Sequence, residues 1–599
     1  MLAELSDAVL GVDRSVLGRR WQLRPALDRH VEALCQGVGL AEPLARVLVG
    51  RGIGPEAAAA YLTPQLKTAL PDPLSLLDMA AAAERLADAV IAKEPVQLFA
   101  DYDVDGATSA AVLARYLRGL GCPVEIHIPD RLTEGYGPTV AAMRGFAHAG
   151  KRLVVTLDCG TASFEALQAA RAAGLQVMVL DHHKAQPTLP PAYALVNPNR
   201  LDEAADAPGG LAAVGIAFLA VIALRAVLRK RDALPAGAPD PLALLDLVAL
   251  GTVCDMAALT GANRALVAQG LKVMARRGNA GIAALADVAG AHGPPSCYHL
   301  GFLLGPRINA GGRIGDAGLG AALLSCDDPA QAATLARQLD QLNRERQAVE
   351  QAVCEAAMAQ LALQDRDGPI ALVCGEGWHP GVVGIVAGRL KEQLGRPALV
   401  LAADGATAVG SGRSVAGVDL GAVILDALAH GVLIKGGGHA MAVGLTVARD
   451  RLDDLMAFLS ERLAAPVAAA QAQQTLALDG LVSCGGCTVD LAEALEQGGP
   501  YGIGNPAPRF VVPDVSVRFA RTVGNGHVKV SLAGRDGVQI SAVAFRAADG
   551  PLGACLQAAN GARVHVAGQV RLSHYGGSAK ADFHIEDASP ALAHTKMCP

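Results

Sequence analysis

Short apolar runs alternate with longer Ala-rich helical stretches through the first part of the chain. The apolar runs cover residues 96–100, 124–128, 153–157 and 175–180, and helical stretches such as 107–120 separate them. This alternation is typical of βαβ units, in which helices connect parallel strands. The pattern therefore predicts a parallel α/β sheet that begins near residue 95.

The pattern changes several times after this region. An apolar segment at residues 242–250 predicts another buried element, and the breaker-poor stretch 328–358 predicts a long helix between two lobes. A second α/β pattern spans residues 368–464 and is followed by an Ala/Gln linker at 464–474. From residue 510 to 586, apolar positions alternate with period two between Gly, Asn and Asp turns, which predicts a small antiparallel barrel.

Length and composition restrict the class of protein. A chain of 599 residues is too long for one hydrophobic core, and 52% hydrophobic with 3% aromatic residues favours a helix-rich α/β protein over a disordered or all-β one. With 51 Lys and Arg against 57 Asp and Glu, the net charge of -6 gives no general attraction for a polyanion. Any nucleic-acid site must therefore be a local basic patch.

The cysteines and the longest apolar run bear on the compartment. The 12 cysteines are scattered, and no basic segment followed by an apolar run opens the sequence, so we expect a cytoplasmic protein without a secretory leader. The longest apolar run, residues 211–224, ends before Arg225 and is shorter than the roughly 20 residues that cross a bilayer. We therefore predict a buried helix there and no membrane contact.

Acidic and histidine side chains follow four predicted buried segments, each at its carboxyl end. In chain order they are Asp101, Asp103 and Asp105, then Asp158, then Asp181, His182 and His183, and finally Asp255. The carboxyl ends of parallel strands meet at one edge of an open sheet, where ligand sites form. We therefore expect these residues to converge, although they are far apart in the sequence.

A divalent metal centre explains this concentration of carboxylates. The acids would repel one another unless a cation lay between them. Carboxylates with one or two imidazoles, and without a thiolate placed to join them, suit Mn²⁺ or Mg²⁺ better than structural zinc. The acids are too many for one ion, and two ions about 3.5–4 Å apart can activate a water and stabilise the leaving oxygen of a phosphodiester.

Each motif also has a simpler interpretation when it is taken alone. The stretch at residues 101–105 is more often an acidic loop or a calcium site, and the acid-His-His stretch at 181–183 is as often a turn with solvated histidines. The combination at the ends of successive segments favours a catalytic metal centre.

The order and spacing of these motifs resemble the DHH phosphoesterase superfamily. The matching stretches are 101–106, 158–160, 181–183 and 251–255. Further stretches at 304–313, 342–346, 436–444 and 501–506 are similar to the RecJ family within it, so the resemblance covers nearly the whole chain. It implies an α/β fold with two α/β lobes, of DHH and DHHA1 type, joined by a long helix and followed by a C-terminal OB-fold β-barrel.

The implied domain boundaries coincide with the changes of pattern. They are an N-terminal extension at 1–75 that packs on the segment after it, a DHH catalytic domain at 76–325, a connecting helix at 326–365, a DHHA1-type substrate-binding domain at 366–465 and an OB-fold domain at 470–590. OB-folds commonly hold single strands by base stacking and a basic groove. The acidic and basic residues of the C-terminal region are nearly balanced, so its composition gives no electrostatic sign of such a groove.

The resemblance also implies roles for the acids and histidines. Asp103 and Asp158 would hold a first ion with Asp101 close by, and Asp105, His182 and Asp255 would hold a second, with Asp158 as the bridge. Asp181 would complete the ligands of these two Mn²⁺ or Mg²⁺ ions. The implied catalytic residues are His183, which would contact the scissile phosphate, Asp158 and Asp105.

Two loops of the second lobe are candidates for binding DNA phosphates. Their glycines let backbone N–H groups approach a phosphate, and an arginine fork can pair with its oxygens. Taken alone, either loop is as readily an ordinary turn, and His379 is as readily packed beside Trp378 as placed on DNA. The resemblance implies recognition of a 5′-terminal phosphate where the lobes meet, with candidates Arg131, Arg307, Asn309, Arg313, Ser411, Arg413, Gly437, Gly438 and His439.

The implied activity is that of a single-stranded-DNA-specific 5′→3′ exonuclease that releases 5′-mononucleotides in DNA repair and recombination. The implied partners are single-stranded DNA with a 5′ end, a single-strand-binding protein and a helicase, and the implied state is a monomer. Two alternatives stay open. One is a phosphodiesterase for very short oligonucleotides or cyclic dinucleotides, whose members are much shorter and lack a barrel; the other is a non-catalytic binder, which degenerate motifs would mark.

Overall fold

The computed structural model describes residues 7–131, 133–363, 368–575 and 578–591 and contains two compact units. Unit 1 contains three parts of the described chain: the residues up to Thr63, Ala465–Tyr501 and the residues from Pro506 onward. Unit 2 comprises Pro64–Ala464 with Gly502–Asn505. The expectation that the N-terminal extension packs on the segment after it is therefore corrected for residues 7–63, which pack with the C-terminal part of the chain.

The N-terminal part of the chain is mostly helical. Its elements are β1 (Arg20–Leu23), α1 (Asp28–Val38), α2 (Glu42–Val49), α3 (Pro55–Leu62), α4 (Leu66–Ala69) and α5 (Met79–Ala92). The first four belong to unit 1, and α4 and α5 belong to unit 2.

A five-stranded parallel sheet forms the first lobe of unit 2. Its elements are β2 (Val96–Ala100), α6 (Val104–Gly119), β3 (Val124–His127), α7 (Val140–His148), β4 (Leu153–Leu157), α8 (Phe164–Ala172), β5 (Gln176–Leu180) and β6 (Ala194–Val196). The strand order is β3-β2-β4-β5-β6, and every neighbouring pair is parallel. All residues of β2 and β4 are buried, and all but Gln97 and Thr156 are apolar, as is typical of strands covered on both faces. The predicted strands are confirmed to within one residue at each end.

Helices complete this lobe and lead to the second one. They are α9 (Ala213–Lys230), α10 (Leu245–Cys254), α11 (Gly261–Met274), α12 (Ala280–Val288), α13 (Gly305–Ile314), α14 (Gly318–Leu324) and α15 (Pro329–Leu361), with a π-helix at His299–Leu304. The predicted buried helix corresponds to α9, and the predicted connecting helix corresponds to α15. The apolar segment before Asp255 is helix α10 rather than a strand of the sheet. Its residues 245–252 are all buried, and periodicity cannot separate helix from strand in a short run that is apolar on every side.

The second lobe of unit 2 contains a mixed five-stranded sheet. Its elements are β7 (Ala371–Glu376), α16 (Pro380–Leu394), β8 (Ala398–Asp404), β9 (Thr407–Arg413), α17 (Leu420–Ala429), β10 (Lys435–His439), β11 (Ala442–Ala448) and α18 (Leu452–Ala472). The strand order is β10-β11-β9-β8-β7, with only β7 and β8 parallel. The predicted Ala/Gln linker is helical up to Ala472, because Ala and Gln are strong helix formers. The predicted boundary at residues 365 and 366 lies outside the described residues.

A closed barrel forms the core of unit 1. The elements are β12 (Thr475–Leu478), β13 (Gly480–Leu481), α19 (Val489–Glu496), β14 (Phe510–Val523), β15 (His527–Ala533), β16 (Gln539–Ala544), α20 (Pro551–Ala558), β17 (Arg563–Tyr575) and β18 (Ser578–Pro590). Pairing runs β14-β15-β16-β18-β17 and closes between β17 and β14. The barrel is not wholly antiparallel as expected, since β16 and β18 pair in parallel. Within the described residues, no helix combines the length and apolar character needed to span a membrane.

Candidate metal centre

The loop after β2 carries three aspartates and turns directly into α6. Asp103 caps this helix, because its Oδ1 accepts the backbone N–H groups of Asp105 (2.9 Å) and Gly106 (3.1 Å). A Cβ at Gly106 would lie 2.3 Å from the carbonyl oxygen of Asp101, so only glycine lets the loop fold back this closely. The turn therefore holds three carboxylates at the carboxyl edge of the sheet.

Asp158 follows β4, the neighbour of β2, and is only 2% exposed. Its backbone has φ 60°, a left-handed conformation that costs a residue with a side chain about 1–2 kcal/mol. Its Oδ1 lies 3.2 Å from Nε2 of His182 and 3.8 Å from Nδ1 of His183. Backbone strain at a buried carboxylate of this kind is typical of functional sites.

The ends of two helices position the remaining candidate ligands. Asp105 is buried at the N-terminus of α9, where Oδ2 accepts the N–H of Ala213 (2.7 Å) and Oδ1 accepts that of Val214 (2.9 Å). The positive end of the helix dipole favours a carboxylate there. Asp255 caps the C-terminus of α10. Both acids approach His182. The Oδ2 atom of Asp105 lies 3.9 Å from its Nε2, and the Oδ2 atom of Asp255 lies 3.8 Å from its Nδ1.

These side chains form three groups of potential metal ligands. In each group, one ligand atom per residue lies within 4.8 Å of the others. The groups are Asp101, Asp103 and Asp158; Asp105, His182 and Asp255; and Asp158, His182 and His183. Asp158 belongs to two of them, and its Oδ1 lies 3.2 Å from His182, a member of the remaining group, which suits a carboxylate placed between two ions. The structure thus brings together residues that follow three strands, β2, β4 and β5, and one helix, α10.

Buried atoms of these groups lack hydrogen-bond partners. Oδ1 of Asp101, Oδ1 of Asp158 and Nε2 of His182 are buried and make no hydrogen bond to any described residue. A buried polar atom left unsatisfied costs about 1–3 kcal/mol, so a cation that accepts these lone pairs would be strongly favoured. Carboxylates with imidazole form a donor set that fits Mn²⁺ or Mg²⁺.

The carboxylates disfavour one another's ionisation. Burial, and then the charge of Asp103, raise the pKa of Asp101 to about 8 and that of Asp105 to about 7. Burial, and then the charge of Asp105, raise the pKa of Asp255 to about 7 and that of Asp158 well above its ordinary range. A divalent cation would reverse this balance, because it favours the ionised form of every carboxylate around it.

Asp181 belongs to none of the ligand groups found among the described residues. Its oxygens accept N–H groups from Thr161 (3.0 Å), His182 (2.8 Å) and His183 (3.2 Å), and Oδ1 also lies 2.8 Å from Nδ1 of His183. Burial alone would raise its pKa, but the hydrogen bond and charge of His183 hold the pKa below its ordinary value. Asp181 was predicted as a metal ligand; in the structure N–H donors surround its oxygens, and its Oδ1 orients His183.

His183 is the most exposed side chain of the site, at 46%. Burial of its ring lowers the pKa, but the hydrogen bond and charge of Asp181 outweigh burial and raise it to about 9. Asp181 therefore favours the charged form of the imidazole. A charged imidazole beside the ligand groups is suited to donate a hydrogen bond to a phosphate oxygen.

Three arginines from separate elements share one region of unit 2. Burial, and then the charges of Arg131, Arg346 and Arg413, lower the pKa of Arg313 to about 10. Burial, and then the charge of Arg131, lower the pKa of Arg413. In the part of the chain that the structure describes, Arg131, Arg313 and Arg413 form no ion pair with a carboxylate. Guanidinium groups that repel one another in this way are suited to an anion such as a phosphate.

The other predicted DNA-binding residues have different surroundings. The hydroxyl of Ser411 accepts a hydrogen bond from Nη1 of Arg413 (2.8 Å) and so belongs to the same region. Arg307 instead pairs with Asp340 (2.9 Å), which partly neutralises its charge. Asn309 lies between Arg307 and Arg313 on α13, and the last three candidates lie on the edge strand β10: Gly437, Gly438 and His439.

His379 has a structural role. Its Nδ1 accepts the backbone N–H of Gly381 at 3.0 Å and so caps the N-terminus of α16. The structure therefore favours packing over a DNA contact for this histidine.

Two aromatic residues and one close-approach glycine of this region were not predicted from the sequence. The ring of Tyr102 lies 5.3 Å from the guanidinium carbon of Arg131 and stabilises its charge. A Cβ at Gly384 would lie 3.2 Å from both Nη2 of Arg413 and Oγ of Ser411, so glycine lets α16 approach the arginine region. Tyr136 also contacts His183, and its position between two glycines in Gly-Tyr-Gly was a signal that could have found it.

Models of three protein families match most of the chain. Residues 95–252 match the DHH family N-terminal domain, residues 367–465 match the DHHA1 domain, and residues 478–587 match the RecJ OB domain.

Curated proteins and solved structures resemble the chain over most of its length. The single-stranded-DNA-specific exonuclease RecJ of Bacillus subtilis is 31% identical over 582 residues, which cover 95% of this chain and 71% of that protein. The protein of the same name from Escherichia coli is 39% identical over 450 residues, or 72% of this chain and 76% of that protein. The crystal structure of RecJ with Mn²⁺ from Thermus thermophilus covers 96% of this chain and 80% of its own, with 28% identity and a TM-score of 0.76.

Proposed function

This chain belongs to the RecJ family of single-stranded-DNA-specific exonucleases, and we propose that it removes nucleotides from the 5′ end of single-stranded DNA. The products are nucleoside 5′-monophosphates, and the activity serves DNA repair and recombination. The observation that carries the proposal is the convergence of carboxylates and imidazoles into three ligand groups that share Asp158 or His182.

Two of the ligand groups would hold two ions, Mn²⁺ or Mg²⁺. Asp101, Asp103 and Asp158 would hold one ion, and a second set would hold the other: Asp105, His182 and Asp255. When bound, the two ions supply an activated water and stabilise the charge that develops on the phosphate and the leaving oxygen. The helix caps at Asp103 and Asp105 fix the carboxylates before any ion binds, because backbone N–H groups already hold their oxygens.

His183 contacts the scissile phosphate in this proposal. Asp181 holds its Nδ1 at 2.8 Å and favours the charged form of the ring, and Nε2, which lies 3.4 Å from the hydroxyl of Tyr136, can donate to a phosphate oxygen. The interaction strengthens as negative charge accumulates on the phosphate, which is how a positioned donor lowers the barrier.

The arginine region binds the 5′-terminal phosphate. Arg131, Arg313 and Arg413 bring positive charge to one place, and a terminal phosphate carries more negative charge than an internal phosphodiester. A site that must hold the end before the bond is cut makes the enzyme an exonuclease. Ser411 supports Arg413, whereas Arg307 contributes least because Asp340 already pairs with it.

The partners follow from the substrate. We propose that the chain works as a monomer in the cytoplasm on strands that a helicase exposes and a single-strand-binding protein covers. A net charge of -6 gives no long-range attraction for DNA, so a partner that presents the strand end would raise the rate of loading.

The proposal is tested with a 5′-phosphorylated 50-nucleotide single strand, labelled at either end, in the presence of Mn²⁺. The wild-type chain is expected to release the 5′ label as a mononucleotide and to leave the 3′ label on progressively shorter fragments. His183→Ala is expected to slow this by about 10²–10³-fold, as the loss of one positioned hydrogen-bond donor typically does. Release of the 3′ label first, or full activity of His183→Ala, would refute the proposed site.

Two controls sharpen the experiment. His148→Ala changes an exposed histidine on α7 and is expected to leave the rate unchanged. Comparison of a 3-nucleotide with the 50-nucleotide substrate tests the phosphodiesterase alternative, which a preference for the shorter substrate would favour.

A further inference from the structure

A tyrosine that the mechanism has not used joins two parts of the candidate metal centre. Tyr136 lies in the loop between β3 and α7, with Gly135 and Gly137 on either side. Its hydroxyl donates to the backbone carbonyl oxygen of Asp158 at 3.1 Å. The same hydroxyl oxygen lies 3.3 Å from Nδ1 and 3.4 Å from Nε2 of His183.

The bond to Asp158 acts where the backbone is strained. Asp158 has a left-handed φ of 60°, and its own N–H donates to the carbonyl oxygen of Leu180 at 3.0 Å. Tyr136 holds the carbonyl side of the same residue, so the backbone of Asp158 is fixed from both directions. A carboxylate that must lie between two ions requires this restraint, since a rotation of its backbone would move both oxygens.

The contact with His183 restricts the imidazole. Asp181 holds Nδ1 from one side at 2.8 Å, and the ring of Tyr136 meets the imidazole edge-to-face, with centroids 5.8 Å apart and planes at 71°. Neither contact alone fixes a ring that is 46% exposed. Together they limit rotation of the imidazole about its bond to Cβ, and so keep one orientation for the phosphate contact.

We propose that Tyr136 is a positioning residue, whose hydroxyl sets the bridging carboxylate of Asp158 and the imidazole of His183 in register with each other. The inference rests on the proposed function and adds a residue to it. The hydroxyl acts through the backbone of Asp158 and the side chain of His183, so its loss changes kcat and the affinity for metal rather than the affinity for DNA.

The structure also suggests the competing role that an experiment must separate. Tyr136 is 54% exposed, and an exposed aromatic ring can stack on a nucleobase. Stacking needs the ring but not the hydroxyl. Tyr136→Phe therefore separates the two roles, because it keeps the ring and removes only the donor.

The test measures kcat and KM on 5′-phosphorylated single-stranded DNA, and separately titrates the DNA-free protein with Mn²⁺ by calorimetry. Tyr136→Phe is expected to lower kcat about tenfold, as the loss of one hydrogen bond does, with KM unchanged. Its Mn²⁺ affinity is expected to fall several-fold. Tyr193→Phe is the matched control, because Tyr193 is 46% exposed and its values are expected to equal those of the wild type.

Two results would overturn the proposal. One is a Tyr136→Phe protein with wild-type kcat and Mn²⁺ affinity. The other is a rise in KM alone, in Tyr136→Ala but not in Tyr136→Phe, which would assign the ring to nucleobase stacking. If the wild-type chain degrades no single-stranded DNA, the proposed function fails, and the Mn²⁺ titration still decides whether Tyr136 positions Asp158.

Discussion

The acids of the site look equivalent in the sequence, but their surroundings in the structure differ. Asp101 and Asp158 each keep a buried oxygen without a partner in the described structure, whereas N–H donors surround the oxygens of Asp181. The sequence predicts where the acids gather, because each follows a buried segment. It cannot predict which oxygens remain free, because that depends on loop conformations such as the left-handed backbone of Asp158.

The role of Asp181 can be tested by Asp181→Asn. An amide cannot hold the His183 imidazole as a charged donor, so kcat is expected to fall about 10²-fold or more. The affinity for Mn²⁺, measured by calorimetry, is expected to stay within about twofold of the wild type because Asp181 is not among the ligand groups. Asp158→Asn serves as the comparison and is expected to abolish tight Mn²⁺ binding. Equal loss of Mn²⁺ binding in both variants would identify Asp181 as a metal ligand.

Asp246, a buried acid outside the candidate metal centre, makes the stability of the chain depend on pH. Burial raises the pKa of Asp246 on α10 to about 6, against about 3.9 for an unfolded aspartate. The native state therefore binds a proton more tightly than the unfolded state, and stability falls as the pH rises from about 4 to about 6 and stays low above that.

Asp246→Asn removes this dependence. The amide oxygen can still accept the N–H of Leu247, which Asp246 now accepts at 2.8 Å. The variant is expected to be more stable than the wild type at pH 8 by about 2–3 kcal/mol, with a smaller difference at pH 5. Urea denaturation at both pH values measures this, and a larger gain at pH 5 than at pH 8 would contradict the assignment.

At the scale of elements, the sequence predicts the strands of the first sheet well and some of the helices poorly. Strands β2 and β4 are buried runs bounded by polar residues, so their limits are visible in the sequence. Helix α10 is buried on all sides, and its apolar run has no polar face that would reveal a helical period. The end of α18 could not be predicted for another reason: Ala and Gln form helices but also occur in linkers.

Close helix packing behind the metal centre depends on Gly251 in α10. A Cβ at this position would lie 2.2 Å from Oγ1 of Thr108 and 3.1 Å from Oδ1 of Asp105. Gly251→Ala is therefore expected to push α10 away from α6, to destabilise the chain by about 1–3 kcal/mol and to weaken Mn²⁺ binding. Gly388→Ala in α16 is the control, because its Cβ meets nothing within 4 Å. Thermal denaturation and Mn²⁺ titration of both variants check the prediction, and equal behaviour of the two would contradict it.

At the scale of the whole molecule, the N-terminal residues are part of the barrel unit, a pairing that no local pattern encodes. Strand β1 pairs in parallel with β12, and the buried Trp21 donates to Oδ2 of Asp587 at 3.2 Å. Ser15 also donates to this carboxylate, at 2.7 Å. These partners are separated by most of the chain, so only the folded structure reveals them.

The chain has two tryptophans, one in each unit, and each can report on its own unit. Asp587→Ala leaves the buried donors of Ser15 and Trp21 without an acceptor, at a cost to unit 1 of about 1–3 kcal/mol for each donor. In a Trp378→Phe background, the urea midpoint followed by Trp21 fluorescence is expected to fall. In a Trp21→Phe background, the transition followed by Trp378 is expected to stay unchanged.

Asp549→Ala provides the control for this experiment, since Asp549 is exposed in the same unit. It is expected to move neither transition. A shift of the Trp378 transition by Asp587→Ala would show that the stability of unit 2 depends on this carboxylate.

The two-metal centre is tested most directly by anomalous diffraction from crystals of the full chain containing Mn²⁺. We expect two manganese peaks in each chain, one among Asp101, Asp103 and Asp158 and the other among Asp105, His182 and Asp255. Manganese bound only elsewhere, or no manganese at these residues, would contradict the assignment.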